Sequence, residues 1–222
     1  MDASRKVTTP MSEPKLGEVT PIDLGTSDLE QLEKTQKLPP INHPQPAPPQ
    51  DSEEFRAQQE EVRQMIAADA PIREVLSKLV LMIEAEAPDM LGSILQLSDD
   101  GNHIRHTVAP SLPESYTKMI DGSPIGPKHG SCGTAMFRGE PVCASDIVTD
   151  PLWDDYRQYA LAVGLRACWS TPIMSSKGKV LGSFAMYYRE PRIPDGEEQH
   201  LTYVATKLAA EAIEHKIRTQ SK

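Results

Sequence analysis

Cys132 is the residue of this sequence whose type and setting point most directly to chemistry. It lies in the stretch HGSCGTAMF (129–137), three positions after His129 and between small residues. A cysteine becomes a nucleophile when a nearby base or a helix N-terminus lowers its pKa. Cysteine also serves as a redox thiol, as a metal ligand or as an ordinary residue of a ligand-binding loop. The stretch leaves these four interpretations open.

Two of the interpretations lack the partners that they need. No orienting Asn or Asp follows His129 in a recognisable protease pattern, so a hydrolase dyad is not expected. Zinc needs four nitrogen or sulfur ligands, commonly in close pairs, and Cys143 and Cys168 are distant in sequence from His129 and Cys132. We therefore expect neither a catalytic dyad nor a metal site. The flanking glycines favour a loop whose backbone amides approach a ligand.

Composition limits the class of protein. The chain has 222 residues and a net charge of −9 without a basic stripe, which argues against nucleic-acid binding. No polybasic cluster or secretory leader is visible, and the apolar run LVLMI (79–83) is too short to span a bilayer. Three cysteines do not make a disulfide framework. We expect a cytoplasmic protein with reduced thiols that binds neither nucleic acid nor membrane.

Residues 1–50 differ from the rest of the chain. They are rich in proline, end in LPPINHPQPAPPQ and contain no aromatic residue, so they cannot bury enough apolar surface to offset the entropy cost of ordering. We predict a disordered, proline-rich arm over 1–50 and a folded domain over 51–222. The spacing in PQPAPP permits a docking site, but a simple spacer is the preferred interpretation.

The pattern over the folded part predicts helices before and after a sheet. A helix capped by Asp51 or Ser52 and a second one beginning near Pro71 precede a strand hairpin, and two further strands meet at the turn SKG. A helix with Asp150 as its cap and Gly164 at its end lies between the hairpins. The last helix has a predicted apolar face of Leu201, Val204, Ala205, Leu208, Ala212, Ile213 and Ile217. This order predicts an α+β domain with about five mostly antiparallel strands.

The strand LRACWSTPIMS places candidate residues on opposite faces. Alternation puts Arg166, Cys168 and Ser170 on one face and Ala167, Trp169 and Thr171 on the other. An arginine on the pocket face binds an anion or pairs with Asp146 or Asp150, and we favour the structural pair. Trp153, Tyr156 and Tyr159 follow one another at helical spacing, so they either wall an aromatic pocket or close the sheet face as core.

Several motifs in order resemble a GAF domain, of the sensor type found in bacterial histidine kinases and cyclic-dinucleotide signalling proteins. They are GSCGTA, then Asp146-Ile147 with DPLW at 150–153, then CWSTPI at 168–173, then the segment from Gly178 to Pro191. The resemblance covers residues 57–218. It implies an antiparallel sheet of five or six strands, with the terminal helices packed on one face and a loop-covered ligand pocket on the other. Members of this family bind varied small molecules and commonly dimerise through their terminal helices.

The resemblance also implies a ligand site in which residues from several motifs meet. These expected ligand-binding residues are His129, Cys132, Gly133, Thr134, Asp146, Trp153, Tyr156, Arg166, Cys168 and Ser170. The identity of the ligand, and of any cofactor, stays unknown. We expect a non-enzymatic, homodimeric sensor that acts in trans on a signalling partner.

Two alternatives remain open at this stage. A GAF-type family reduces free methionine-R-sulfoxide with cysteines over the same pocket, and three cysteines in order resemble that arrangement. That family holds the substrate's ammonium group with acidic residues on the last strand, whereas the strand here reads FAMYY (184–188). The other alternative is a ligand-free dimerisation or scaffold module, which a cavity filled by its own side chains would favour.

Overall fold

The computed structural model of the chain describes residues 51–220. The arm predicted over 1–50, with its docking or spacer role, lies outside the described residues. The elements in chain order are α1 (Glu53–Ala67), α2 (Ile72–Glu86), β1 (Leu91–Leu97), β2 (Ile104–Val108), α3 (Glu114–Ile120), α4 (Gly130–Arg138), β3 (Val142–Ala144), a 3-10 helix (Pro151–Trp153), α5 (Arg157–Ala162), β4 (Ala167–Met174), β5 (Val180–Tyr188) and α6 (Gly196–Gln220).

The strands form one sheet in the order β2-β1-β5-β4-β3, and every pairing in it is antiparallel. The two hairpins, β1–β2 and β4–β5, are those predicted from the turn signals DDG and SKG. Because β5 pairs with both β1 and β4, the middle of the sheet consists of these strands. The predicted α+β class and sheet are confirmed.

Helices α1, α2 and α6 pack on one face of the sheet and enclose the larger core. Helix α1 begins as predicted, because the Ser52 hydroxyl accepts a hydrogen bond from the Phe55 N–H at 3.0 Å. The predicted apolar residues of α2 from Val75 to Ile83 are buried against this core. The terminal helices therefore form the layer that the sequence predicted.

Helix α6 begins with a reciprocal cap. The Glu198 N–H donates to Asp195 Oδ1 at 2.9 Å, and the Asp195 N–H donates to Glu198 Oε2 at 3.0 Å. The predicted apolar face of α6 is buried except at Ile217, which is 51% exposed. Ile217 lies fourteen residues after Tyr203, itself 60% exposed, and this spacing of nearly four turns puts both on the outer side of the helix.

The segment from Asp150 to Gly164 differs from its prediction as a single helix. The Asp150 carboxylate caps it as expected, by accepting the Leu152 N–H at 2.8 Å. A 3-10 turn then gives way to the separate helix α5. The Arg157 guanidinium at the start of α5 donates to the carbonyl oxygens of Ile147 (3.0 Å) and Asp150 (2.9 Å). These bonds tie the start of α5 to the segment that precedes the 3-10 turn.

The second core lies on the opposite face of the sheet. It is built from α3, α4, the 3-10 turn and the inward residues of β1, β4 and β5, including Tyr116, Cys132, Trp153, Cys168 and Tyr187. No helix layer covers this face; short helices and loops do, as predicted for a face that carries a pocket.

Candidate functional site

A small pocket lies between α4, α3, the 3-10 turn and the sheet. Its free volume is about 30 Å³, which is room for one or two water-sized groups. Aromatic and aliphatic side chains form most of its wall, with a few polar atoms among them. The lining residues are Leu95, Ile104, Tyr116, Ile120, Ser123, His129, Gly130, Ser131, Cys132, Trp153, Tyr156 and Tyr187.

Helix α4 begins earlier than the sequence indicated. The loop that the glycines flanking Cys132 favoured ends at His129, and Gly130 starts the helix with a φ of 59°, a left-handed conformation that glycine adopts without strain. Gly133 is needed for a different reason: a Cβ there would lie 2.8 Å from His129 Cβ and 3.2 Å from the Pro124 carbonyl oxygen. The glycines thus pack the loop onto the helix, and Cys132 lies in the first helical turn.

The Cys132 thiol is buried and surrounded by hydrogen-bonding groups. It lies 3.5 Å from the Tyr187 hydroxyl. A hydrogen bond from the Cys168 thiol is the largest cause that lowers the pKa of Cys132 to about 7, against the raising effect of burial; Tyr187, Ser170 and Ser183 lower it further. The positive end of the α4 dipole acts in the same direction. This site stabilises a thiolate.

The sheet beneath α4 carries small polar residues where a core usually holds aliphatic ones. Ser93, Ala185 and Ser170 lie in register across β1, β5 and β4. The hydroxyls of Ser93, Ser170 and Ser183 are buried, and none has a hydrogen-bond partner of ordinary geometry among the described residues. Buried hydroxyls without partners are rare in folded proteins. Ser170 and Ser183 act at longer range on the Cys132 sulfur.

Trp153 connects the 3-10 turn, on one side of the pocket, to strand β4 beneath α4. Its indole N–H donates to Ser131 Oγ at 3.1 Å, and the Ser131 hydroxyl donates to the Cys168 carbonyl oxygen at 3.2 Å. This chain of bonds runs from the 3-10 turn through α4 to β4. It fixes the position of Cys132, which follows Ser131 directly.

His129 and Tyr156 lie at the rim, with ring centroids 6.3 Å apart. The His129 Nδ1 atom is buried without a hydrogen-bond partner among the described residues. The His129 N–H donates to Thr134 Oγ1 at 3.1 Å, so Thr134 holds the helix start and does not line the pocket. Tyr159 is 38% exposed and lies outside the pocket wall.

Arg166 and Asp146 form an ion pair away from the pocket lining. The guanidinium contacts both carboxylate oxygens at 3.2 Å, as in the structural pair that the sequence favoured over anion binding. Asp146 also accepts the Val148 N–H at 3.0 Å. The pair joins the start of β4 to the segment before the 3-10 turn, so both residues support the site from outside.

Two tyrosines of the pocket were absent from the sequence prediction. Tyr116 of α3 and Tyr187 of β5 meet edge to face with centroids 5.9 Å apart, and burial raises the pKa of each hydroxyl well above its usual value. Strand alternation from Ser183 through Ala185 predicts the inward direction of Tyr187. No sequence signal places Tyr116, because α3 is too short to show a periodic face.

A wider groove of about 420 Å³ lies near the first residues of α1 and α6. Two of its carboxylates are engaged within the chain: Asp51 bonds to His200 at 2.6 Å, and Glu198 bonds to Arg192 at 2.9 Å and to the Tyr188 hydroxyl at 2.5 Å. Among residues 51–220, no group of three acidic, histidine or cysteine side chains is placed to hold a metal ion, and no helix has the length and apolarity needed to cross a membrane.

Comparison with known proteins supports one family. The sequence profile of the family described as GAF domain matches residues 69–214. A methyl sulfide methyltransferase-associated sensor from Methanosarcina acetivorans is 38% identical over 165 residues, which cover 74% of this chain. Those residues span 16% of the relative, so this chain corresponds to one part of a much longer protein.

Solved structures share the fold at low sequence identity. A domain of a putative two-component sensor histidine kinase from Sinorhizobium meliloti is 21% identical with a TM-score of 0.54, covering 68% of this chain and 96% of that one. Free methionine-R-sulfoxide reductase from Neisseria meningitidis is 14% identical with a TM-score of 0.56, covering 77% and 96%. A sensor domain and an enzyme thus have the same architecture, so the fold alone does not assign the activity.

Proposed function

The chain belongs to the GAF domain family, and from that premise we propose that it is a sensor module without enzymatic activity of its own. It binds a small molecule in the pocket beneath α4 and passes the bound state to a signalling partner. The observation that carries the proposal is the pocket itself, where an aromatic wall encloses the Cys132 thiol and the His129 imidazole. The named relative is a sensor, which supports the same role.

The size of the pocket limits the ligand. A free volume of about 30 Å³ suits a molecule of a few heavy atoms. Cyclic nucleotides, haem or tetrapyrroles need α3 and the loop over 121–129 to move outwards. A ligand moves these elements only through a higher affinity for the open state than for the closed one. The site therefore favours ligands of the size of nitrate.

The reductase alternative lacks a group that its substrate needs. The ammonium group of free methionine sulfoxide calls for a carboxylate, and none occurs among the described residues that line the pocket. The inward residues of β5 near it are Ser183, Ala185 and Tyr187. The buried thiols Cys132 and Cys168 favour this second function, so it remains the alternative to test.

We also propose that a homodimer forms through the outer side of the helix layer. Tyr203 and Ile217 lie fourteen residues apart on α6, which is two intervals of seven, and they are 60% and 51% exposed. Apolar residues at that spacing stay on one side of a helix and pack against a second helix. The signal then reaches the partner protein as a change in helix packing. Native mass spectrometry of the full chain reports both the subunit count and any co-purified molecule.

The binding test uses thermal unfolding of the full, reduced chain with nitrate, cyclic nucleotides, haem and a tetrapyrrole. We expect at least one member of this panel to raise the melting temperature, and the Ile120→Trp variant, which fills the pocket, to lose the response. Met119→Trp is the matched control, because Met119 is exposed on the same helix and does not line the pocket. A flat response to the whole panel, with no co-purified molecule, favours the scaffold module. Thiol-dependent loss of methionine sulfoxide favours the enzyme.

A further inference from the structure

Two buried thiols meet beneath the pocket. Cys132 comes from the first turn of α4 and Cys168 from the beginning of β4, and both are free and buried. Both side chains belong to the same buried cluster, and each thiol is among the groups that shift the pKa of the other. The bond from Ser131 Oγ to the Cys168 carbonyl oxygen, at 3.2 Å, holds the two backbone segments together. A close pair of thiols on separate elements has the arrangement from which a disulfide forms.

The two thiols differ in chemical character. Cys168, Tyr187 and, at longer range, the hydroxyls of Ser170 and Ser183 offset the effect of burial and lower the pKa of Cys132 to about 7. Burial raises the pKa of Cys168 well above its usual value, and the neighbouring Cys132 raises it further. At neutral pH one member is substantially a thiolate and the other a thiol. The first is the nucleophile and the second remains a proton donor.

Access to Cys132 is limited by size. Cys132 lines the pocket of about 30 Å³, whereas Cys168 does not. A molecule of two heavy atoms fits that volume, but a bulky thiol or disulfide reagent does not. Apart from Cys168, the described groups that act on the Cys132 sulfur are serine and tyrosine hydroxyls, which do not compete for a peroxide. The site thus admits a small oxidant to one of the two sulfurs.

We propose that Cys132 and Cys168 form a peroxide-responsive thiol pair, with Cys132 as the reacting thiol and Cys168 as the resolving one. The Cys132 thiolate attacks one oxygen of hydrogen peroxide; the S–O bond forms, the O–O bond breaks, and the released hydroxide takes up a proton to become water. Cys132 is thereby oxidised by two electrons to a sulfenic acid. The Cys168 thiol then displaces its hydroxyl, which leaves with the thiol proton as a second water, and the disulfide remains.

Oxidation changes the packing of the pocket. A disulfide needs its sulfurs at about 2.05 Å, closer than two hydrogen-bonded thiols, so α4 is drawn towards β4. Ser131 is the residue before Cys132 and links to the Trp153 indole at 3.1 Å, which carries the shift to the 3-10 turn. This inference rests on the sensor role proposed above and names a small oxidant as the signal.

The chain itself allows a direct test, because trypsin separates its three cysteines. Cys132 falls in the peptide 129–138, Cys143 in 139–157 and Cys168 in 167–177. The full chain is treated with hydrogen peroxide at neutral pH, its remaining thiols are alkylated, and the peptides are identified by mass spectrometry. We expect a cross-link between 129–138 and 167–177, with Cys143 still alkylated.

Three variants control the experiment. Cys143→Ser leaves the cross-link unchanged, because burial raises the pKa of Cys143 to about 11 and only about one molecule in ten thousand is a thiolate at pH 7. Cys168→Ser stops the reaction at a sulfenic acid on Cys132, which dimedone traps when the oxidised protein is unfolded in its presence. Cys132→Ser leaves Cys168 reduced.

The opposite results would overturn the inference. A cross-link through Cys143, equal oxidation of Cys168 in Cys132→Ser, or no oxidation of Cys132 at peroxide levels that oxidise a free thiol would each contradict it. Failure of the sensor role has a separate signature, since the ligand panel is run on reduced protein and does not depend on the thiol pair.

Discussion

The two faces of the sheet have different chemical characters, although alternate residues of the same strand build both. On β5, Phe184, Met186 and Tyr188 face the helix layer, while Ser183, Ala185 and Tyr187 face α4. Tyr188 donates its hydroxyl to Glu198 at 2.5 Å, and Glu198 pairs with Arg192 at 2.9 Å. Ser183 has no such partner among the described residues.

The two faces of the sheet therefore have different roles, one in stability and the other in chemistry. The helix face buries large apolar side chains against three helices, and its one unpartnered polar atom among the described residues of the sheet is the Trp169 indole nitrogen. On the α4 face, hydroxyls and thiols surround Cys132 where a core usually has closely packed aliphatic side chains. We infer that the helix face supplies most of the folding free energy and that the α4 face supplies the reactive site.

The largest expected effect tests the helix face. Phe184→Ala removes a fully buried ring, so it should lower the free energy of unfolding by about 3–5 kcal/mol. Urea unfolding measures this. The rate at which hydrogen peroxide oxidises Cys132 in the native protein should remain that of the wild type; a changed rate would show that the two faces are not separable.

A smaller effect, on the pH dependence of the free energy of unfolding, tests whether Cys132 is a thiolate in the folded chain. Its pKa lies at about 7 in the folded chain and near 9.0 when unperturbed. Between these values the unfolded chain binds more protons, so stability rises with pH, while the contribution is lost below pH 7. The free energy of unfolding of wild type relative to Cys132→Ser should rise by an amount on the order of 2 kcal/mol from pH 6 to pH 9.

Other titratable groups around Cys132 determine the highest pH at which this stability difference reports on Cys132 alone. Cys168 of β4, Tyr187 of β5 and Tyr116 of α3 have raised pKa values, and His129 lines the same pocket. The first three bind protons more tightly in the folded chain, so they lower stability only above about pH 9. A flat difference between wild type and Cys132→Ser from pH 6 to pH 9 would contradict a native thiolate.

Ser183→Ala can be compared with Phe184→Ala, because the two residues are neighbours on β5 and face opposite sides of the sheet. The hydroxyl has no ordinary partner, so at pH 6 its loss should leave stability unchanged or raise it by up to about 1 kcal/mol. The pKa of Cys132, measured from the pH dependence of its oxidation by hydrogen peroxide, should rise because Ser183 no longer lowers it. Ser93→Ala is the control: it removes another unpartnered hydroxyl and should leave that pKa unchanged. An unchanged pKa of Cys132 in Ser183→Ala would show that the Ser183 hydroxyl does not act on this thiol.

The smallest effect concerns the Arg166–Asp146 pair. The two side chains are 37% and 27% exposed, so Arg166→Met should cost about 0.5–1 kcal/mol, and less at high salt. A double-mutant cycle with Asp146→Asn measures the coupling. Loss of the pocket's ligand response in Arg166→Met, with the fold intact, would move Arg166 from a supporting role into the binding site.

Local patterns in the sequence were sufficient to predict most of the fold. Ser52 and Asp150 cap their elements through their own side chains, and the apolar spacing of α2 identifies its buried face. These signals act within a few residues, so they can be read without the rest of the chain. Strand alternation likewise puts Cys168 and Trp169 on opposite faces, as the two cores show.

Signals that depend on distant neighbours were missed. The pattern of α6 predicts burial for Ile217, whereas this residue is 51% exposed. The stretch 150–164 has helical spacing throughout, but Arg157 bonds to Ile147 and Asp150 and bends the chain there. Cys132 was expected in a loop, whereas the packing of Gly133 under Pro124 extends the helix to Gly130.

The sequence by itself determined that a cysteine between glycines stands among the motifs of a GAF domain, because residue types and spacing are properties of the chain. Only the tertiary structure decided what surrounds that cysteine. Cys168 and Tyr187 lie 36 and 55 residues away in sequence, and the antiparallel pairing of β4 with β5 places both beneath α4. A thiol's pKa depends on the groups within bonding reach, and folding alone brings those groups together.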